Sequence, residues 1–230
     1  MKNTVIIVAG GQGKRMGTAV AKQYIELRGR TILSYTIEAF EMSKYIDNII
    51  VVTRASDIAY INEDIIKKHG FTKVSKVIAG GSQRQDSVYN GLKEVPEDTE
   101  VVFIHDGVRP FIKESFIKEL SVATIKYKAA LLAVAVKDTI KVCNNDGFIV
   151  DTPDRDTLYS AQTPQCFRYD IIMDAYKRAS IEGYYGTDDA TLVARYGTDV
   201  KVIIGDYDNI KITTPEDLHF GEMILQKGNK

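Results

Sequence analysis

An apolar run at residues 5–8 passes through Ala9 into Gly10-Gly11-Gln12-Gly13-Lys14-Arg15-Met16-Gly17, a glycine-rich turn that ends in two cations. Such a turn suits phosphate. Glycine permits positive φ and close backbone approach, several N–H groups can converge on one anion, and the N-terminus of a following helix adds its dipole. Two familiar phosphate loops do not fit it. A Walker loop needs glycine five positions before Gly13, where Val8 stands, and Ser or Thr after Lys14, where Arg15 stands. A dinucleotide fingerprint starting at Gly11 needs glycine where Met16 stands, which disfavours a nicotinamide-dependent oxidoreductase. The plain alternative is a tight strand-to-helix turn with solvated basic residues.

Three other segments carry chemistry-bearing side chains. Ala79-Gly80-Gly81-Ser82-Gln83-Arg84-Gln85-Asp86-Ser87 is a second small-residue turn before a helical pattern, with Ser87 placed to hydrogen-bond whatever lies over the glycines. His105-Asp106-Gly107-Val108-Arg109-Pro110 follows a strand-like run and offers a carboxylate and a guanidinium together. Asp208-Asn209-Ile210-Lys211-Ile212 sets a lysine in a mostly apolar stretch. Each segment alone is commonplace; their coincidence at strand ends points to one site.

The elements that would position them alternate. Strands are expected at residues 4–9, 48–53, 74–79, 100–105, 130–136 and 200–204, and helices at 31–42, 57–69, 84–94, 113–126, 169–182 and 187–196. Pro215 after Thr214, followed by Glu216 and Asp217, opens a closing helix. Continuous apolar strands separated by helices predict an α/β Rossmann-like three-layer sandwich with a mainly parallel sheet, and ligands beyond the carboxyl ends of its strands. The rhythm breaks over 137–156. There Thr139-Ile140-Lys141-Val142 alternates, Asn144-Asn145-Asp146-Gly147 is turn chemistry, and Phe148-Ile149-Val150 returns, so a protruding β-hairpin arm is expected. An isolated hairpin is marginal in water, so it should pack on a second copy of the chain or on its own domain.

The 230 residues fit one domain. A net charge of −1 gives no global field for nucleic acid or an anionic membrane, so any polyanion must be met by local cations. The first apolar run is short and is followed by Gln12, Lys14 and Arg15 rather than a cleavage site, which reads as a buried strand of a cytoplasmic protein. Cys143 and Cys166 match no zinc spacing, and the three histidines are scattered, so a His/Cys metal cage is not expected.

The ordered set Ala9-Gly10-Gly11-x-Gly13-x-Arg15-Met16, Lys22-Gln23-Tyr24, His105-Asp106-Gly107-x-Arg109-Pro110, Lys137-Asp138-Thr139, Asp154-Arg155, Ala161-Gln162-Thr163-Pro164-Gln165, Thr187-Asp188-Asp189-Ala190 and Asn209-Ile210-Lys211 resembles the 2-C-methyl-D-erythritol 4-phosphate cytidylyltransferases, across essentially the whole chain. Two positions depart from the family pattern: Ala21 stands where proline commonly precedes the Lys-Gln pair, and Ser82 where an acidic residue is frequent.

The resemblance implies a nucleotidyltransferase that joins CTP to a sugar-alcohol phosphate and releases pyrophosphate. It assigns Arg15, Lys22, Arg155 and Lys211 to catalysis, Ala9, Gly10, Gly11, Gly81 and Ser87 to the nucleotide, and Asp106, Arg109, Thr139 and Thr187 to the methylerythritol phosphate. It further implies Mg²⁺ or another divalent cation carried mainly by the triphosphate, with Asp106 the side chain that could join it, and a homodimer in which the arm carrying Thr139 and Arg155 reaches the neighbouring site. A ribitol 5-phosphate cytidylyltransferase shares the glycine loop and the Asn-Ile-Lys segment, while a non-catalytic nucleotide-binding regulator would not need Arg15, Lys22, Arg155 and Lys211 together.

Overall fold

In the computed structural model, which describes residues 2–11 and 21–228, consecutive residues of each central strand face opposite layers. Val5 and Ile7, Ile49 and Val51, and Val101 and Phe103 join one core with Leu33, Ile37, Phe40, Ile117 and Leu120. Ile6, Ile50, Val52, Val102 and Ile104 join another with Val88, Leu92, Ile172, Tyr176 and Leu192. That two-residue alternation is what a doubly covered sheet requires, and it explains why the strands read as unbroken apolar runs.

The strands are β1 (Asn3–Val8), the short pair β2 (Glu26–Leu27) and β3 (Arg30–Thr31), β4 (Asn48–Thr53), β5 (Val74–Ala79), β6 (Val101–Asp106), β7 (Ala129–Ala135), β8 (Val142–Cys143), β9 (Ile149–Asp151), β10 (Tyr159–Arg168) and β11 (Lys201–Ile204). The helices are α1 (Ile32–Glu41), α2 (Ile58–Tyr60), α3 (Arg84–Lys93), α4 (Glu114–Tyr127), α5 (Tyr169–Glu182), α6 (Asp189–Arg195) and α7 (Pro215–Gly228). The helix expected at 57–69 is α2 running on as a π-helical turn, Ile61–Lys67. Thr31 caps α1 by accepting the Ser34 N–H at 3.2 Å, and Asp188 caps α6 by accepting the Thr191 N–H at 2.8 Å.

Seven strands form the main sheet in the order β11-β7-β10-β6-β1-β4-β5. The pairs β1–β4, β1–β6, β4–β5 and β7–β11 are parallel, whereas β10 runs antiparallel to both β6 and β7. Sequence reading left β10 unassigned, because Pro164 and the polar Gln162, Thr163 and Gln165 argue against an interior strand. The structure accommodates them with a register shift between Ala161 and Gln165, around the cis Thr163–Pro164 peptide.

The arm at 137–156 is present, but its ladder is only β8 against β9. Its turn forms as expected: Asn144 N–H donates to the Phe148 carbonyl at 2.9 Å, the Asn144 side chain accepts the Asp146 and Phe148 N–H groups, and Gly147 takes φ +84°. Residues 137–152 are all exposed, with Phe148 at 70% and Ile149 and Val150 at 61%, so the arm does not fold back onto its own domain.

Candidate active site

The sheet ladder extends beyond the strand ends and roots three loops side by side. Ala9 N–H donates to the Val52 carbonyl at 2.7 Å, Gly80 N–H to Thr53 at 2.7 Å, and Gly107 N–H to Val8 at 2.9 Å. Gln23, buried, adds a fourth anchor by donating from Nε2 to the Ala9 carbonyl at 2.7 Å, which ties the Lys22 segment to the first glycine loop. Between these loops lies a cleft of about 650 Å³ that collects Ala9, Gly10, Gly11, Lys22, Gly81, Ser87, Asp106 and Lys211. Eight of the thirteen expected site residues therefore meet there. Arg15, with Gly13, Lys14 and Met16, lies outside the described residues.

The glycines do two different jobs. A Cβ on Gly80 would fall 2.5 Å from Ser87 Oγ, and one on Gly81 would fall 2.3 Å from Asp86 Cβ, so the second loop needs glycine for its own packing. Among the described residues a Cβ at Gly10 or Gly11 would meet only ordinary contacts, 3.7 and 3.8 Å away, so their packing tolerates a side chain there and the space borders the cleft. None of the four has positive φ, so close approach and vacant volume, rather than left-handed backbone, account for them. Ser87 holds the second loop, accepting the Gly81 N–H at 3.1 Å while donating to the Gln83 carbonyl at 3.0 Å.

Asp106 is the electrostatic centre. Lys211 Nζ stands 2.7 Å from its Oδ2, Arg84 Nε 3.5 Å from its Oδ1, and Arg109 Nε 3.7 Å from Oδ2. Burial alone would push the carboxyl up, but Lys211 and Arg84, with Arg109 behind them, outweigh it and hold Asp106 well below the usual carboxylate range. Asp106 is thus anionic near neutral pH, and the cleft gathers lysine and arginine in a partly water-excluded space.

The sequence analysis assigned no role to Arg84. Its guanidinium binds the fully buried Asp189 with two hydrogen bonds, 3.1 and 2.8 Å, and Tyr176 donates its hydroxyl to the same carboxylate. Arg54, also on the cleft wall, is held by Asp57 at 2.8 Å. Arg84 and Asp189 both fall in segments singled out by sequence, but they lie 105 residues apart, and only the fold pairs them.

Four expected residues do not line the cleft. Arg109 is mostly buried, and its Nη1 donates to the Asn209 carbonyl at 2.8 Å, so it braces the segment that carries Lys211. Thr187 is exposed and shares a 3.1 Å hydrogen bond with Thr191. Thr139 and Arg155 are exposed at the arm, where Arg155 donates to the Lys137 carbonyl at 3.2 Å. The departures from the family pattern are absorbed locally. Ala21 takes φ −63°, the value proline would impose, and Ser82 donates to Asp86 at 2.6 Å.

Among the described residues no group of three or more His, Cys, Asp or Glu side chains stands together. Asp106 already faces Lys211, Arg84 and Arg109. This donor set does not fit a protein-held divalent ion. Among the same residues no helix is long and apolar enough to cross a membrane.

A family model described as IspD: 2-C-methyl-D-erythritol 4-phosphate cytidylyltransferase matches residues 3–227. The chain is 47% identical over 226 residues to the 2-C-methyl-D-erythritol 4-phosphate cytidylyltransferase of Clostridium botulinum, covering 98% of each. It is 47% identical over 232 residues to the enzyme of that name from Geotalea uraniireducens, covering 100% of this chain and 99% of the other. Among solved structures it superposes on 4-diphosphocytidyl-2C-methyl-D-erythritol synthase from Anaerococcus prevotii with a TM-score of 0.86 at 37% identity, covering 98% and 96% of the two chains. The corresponding values for the Francisella tularensis cytidylyltransferase are 0.82 and 30%, with coverage of 97% and 100%.

Proposed function

The chain belongs to the 2-C-methyl-D-erythritol 4-phosphate cytidylyltransferase family, and we propose that the cation-lined cleft is where its reaction is carried out, by the division of labour set out for each residue below. The reaction joins CTP to 2-C-methyl-D-erythritol 4-phosphate, giving 4-diphosphocytidyl-2-C-methyl-D-erythritol and pyrophosphate. Ribitol 5-phosphate as the acceptor and a non-catalytic regulator are not favoured by these matches.

In the reaction two anions meet: an oxygen of the polyol phosphate attacks the α-phosphorus in line and pyrophosphate leaves. A phosphate nucleophile is ionised near neutral pH, so the demand is for fixed positive charge more than for a general base. Lys22 and Lys211, both on the lining of the cleft, meet that demand, and the family resemblance assigns Arg15 to the same task. Lys211 exchanges Asp106 for the phosphate oxygens as charge builds on them. Ala9, Gly10 and Gly11 form one wall of the nucleotide pocket and Gly81 and Ser87 the other, and the small residues leave room for a single pyrimidine ring. Asp106 accepts from hydroxyls of the polyol, braced by Arg109, with Thr187 at the rim. A divalent cation would accompany CTP and neutralise part of its triphosphate charge, since among the described residues no cluster of donors cages one.

Thr139 and Arg155 complete the site from a second copy of the chain. What supports this reading is the arm: a short ladder with exposed Phe148, Ile149 and Val150 leaves apolar surface that a partner would cover. The planar fork of Arg155 suits a phosphate better than lysine would. The enzyme works in the cytoplasm as a homodimer. The single observation that carries the proposal is the meeting of Lys22, Lys211 and Asp106 with both glycine loops in one cleft. Pyrophosphate release, measured with CTP and either methylerythritol phosphate or ribitol 5-phosphate side by side, tests it. Release with the first acceptor alone is expected, and comparable release with both would undo the assignment of the polyol side.

A further inference from the structure

Thr163 sits where β10 changes register, and its hydroxyl has two partners. The Asp106 N–H donates to Thr163 Oγ1 at 3.1 Å, and the same oxygen lies 3.1 Å from His105 Nδ1. On the far side of the ring, His105 Nε2 lies 2.9 Å from the Arg109 carbonyl. A carbonyl only accepts, so Nε2 carries the proton; the neutral ring then has a bare Nδ1, which accepts from the Thr163 hydroxyl. The directions close into a ring of bonds. It runs from the Asp106 amide to Thr163, from Thr163 to His105, from His105 to the Arg109 carbonyl, and back through the Arg109 N–H to the Asp106 carbonyl at 3.0 Å. His105 is fully buried with Phe40 edge-on at 4.9 Å, and the charged groups facing it are Asp106, Arg109 and Lys211.

We propose that His105, as its Nε2–H tautomer, and Thr163 are positioning residues that clamp the turn over residues 106–109, and so set the Asp106 carboxylate, with the Arg109 guanidinium that braces it, for the polyol phosphate. The proposal rests on the reading that Asp106 and Arg109 serve that substrate. The nucleotide loops are rooted otherwise, through Gln23, Ser87 and the extended ladder, none of which passes through Thr163. The clamp therefore acts on one substrate and not on the other.

Steady-state kinetics of the full-length enzyme separate the two. Thr163→Val keeps the shape and removes the relay; it is expected to raise KM for methylerythritol phosphate roughly tenfold, the scale of one lost buried hydrogen bond, with KM for CTP within about twofold. Thr163→Ser, which restores the hydroxyl, is expected to return both values to wild type. Imidazole ¹⁵N NMR on the wild-type protein is expected to report the Nε2–H tautomer of His105, and on Thr163→Val a mixture of tautomers. Equal increases in both KM values, or an Nδ1–H tautomer in the wild type, would overturn the proposal. An unchanged polyol KM in Thr163→Val, alongside a raised one in Asp106→Asn, would overturn the clamp alone. An unchanged polyol KM in Asp106→Asn would instead overturn the reading on which it rests. Should Thr163→Val fail to fold, the wild-type tautomer and Thr163→Ser decide the matter in the same way.

Discussion

Lys211 rests on Asp106 at 2.7 Å, and the phosphate oxygens on which charge builds during transfer offer its ammonium a stronger partner than they do before it. An interaction gained as charge develops contributes to the transition state rather than to ground-state binding, so Lys211→Ala is expected to lower kcat on the order of 10²-fold or more while CTP affinity changes little. Stopped-flow pyrophosphate release with a parallel CTP titration checks this, and unchanged turnover would remove Lys211 from the mechanism. His105 gives a second expectation. Burial pushes its imidazole down to about 4, below the ordinary 6.5, so between those values the unfolded chain takes up a proton that the folded chain refuses. Stability that is full above the ordinary value is then lost as pH falls toward 4, by about 2 kcal/mol between pH 7 and pH 5. His69, also depressed by burial, adds in the same direction, whereas the depressed carboxyl of Asp106 costs stability mainly at lower pH. Urea unfolding at the two pH values should show this loss in the wild type and most of it abolished in His105→Gln. At this scale the sequence singled out individual side chains but not whom they face. Asp106 and Lys211 were legible as chemistry after strands and Lys22 through the family resemblance, while the Arg84–Asp189 pair and the Thr163 relay depend on contacts between distant segments that no local spacing encodes.

Among the elements, those with strong periodicity were legible in the sequence, and those whose composition contradicts their environment were not. α1, α3, α4 and α5 follow apolar repeats that face one of the two cores, and β1, β4 and β6 follow apolar runs covered on both faces. β10 was missed because its middle is polar and contains proline. Those polar groups are used for bonding to neighbouring segments: Gln162 holds the Asp206 carbonyl at 2.9 Å, and Gln165 holds Asp188 at 2.8 Å and the Ala190 N–H at 2.9 Å, so one strand fastens two loops. At Gly10, Gly11, Gly80 and Gly81 it is space and close approach, rather than positive φ, that calls for glycine, so only one of the two reasons read from the sequence applies there. Two outcomes follow. Gly80→Ala must push Ser87 off the Gly81 N–H, so KM for CTP is expected to rise roughly tenfold with the polyol KM nearly unchanged, as steady-state kinetics would record. The pocket between Gly10, Gly11 and the second loop should favour CTP over ATP strongly, and comparable kcat/KM for the two nucleotides would mean that these loops do not form the base pocket.

For the whole molecule, the arm makes the proposed catalytic unit two chains. If Arg155 and Lys211 of one site come from different copies, mixing inactive Arg155→Ala with inactive Lys211→Ala should yield heterodimers with one intact site, restoring up to about a quarter of wild-type activity when subunits exchange freely. A mixture that stays inactive despite demonstrated exchange would place Arg155 in cis. Deleting residues 140–152 should weaken the dimer and the binding of the polyol phosphate more than that of CTP, whose loops belong to the sheet, and sedimentation with isothermal titration would register both. The position of β10 also has a consequence for how the chain is made. β6 and β7 flank it and do not pair with each other, so while a ribosome has released only the first 158 residues, both strands present a bare edge toward the gap. The nascent protein must pass through a stage of exposed apolar edges that closes only when the antiparallel strand slides into place. This makes the central seam of the sheet, rather than its rim, the part most in need of chaperone cover during synthesis.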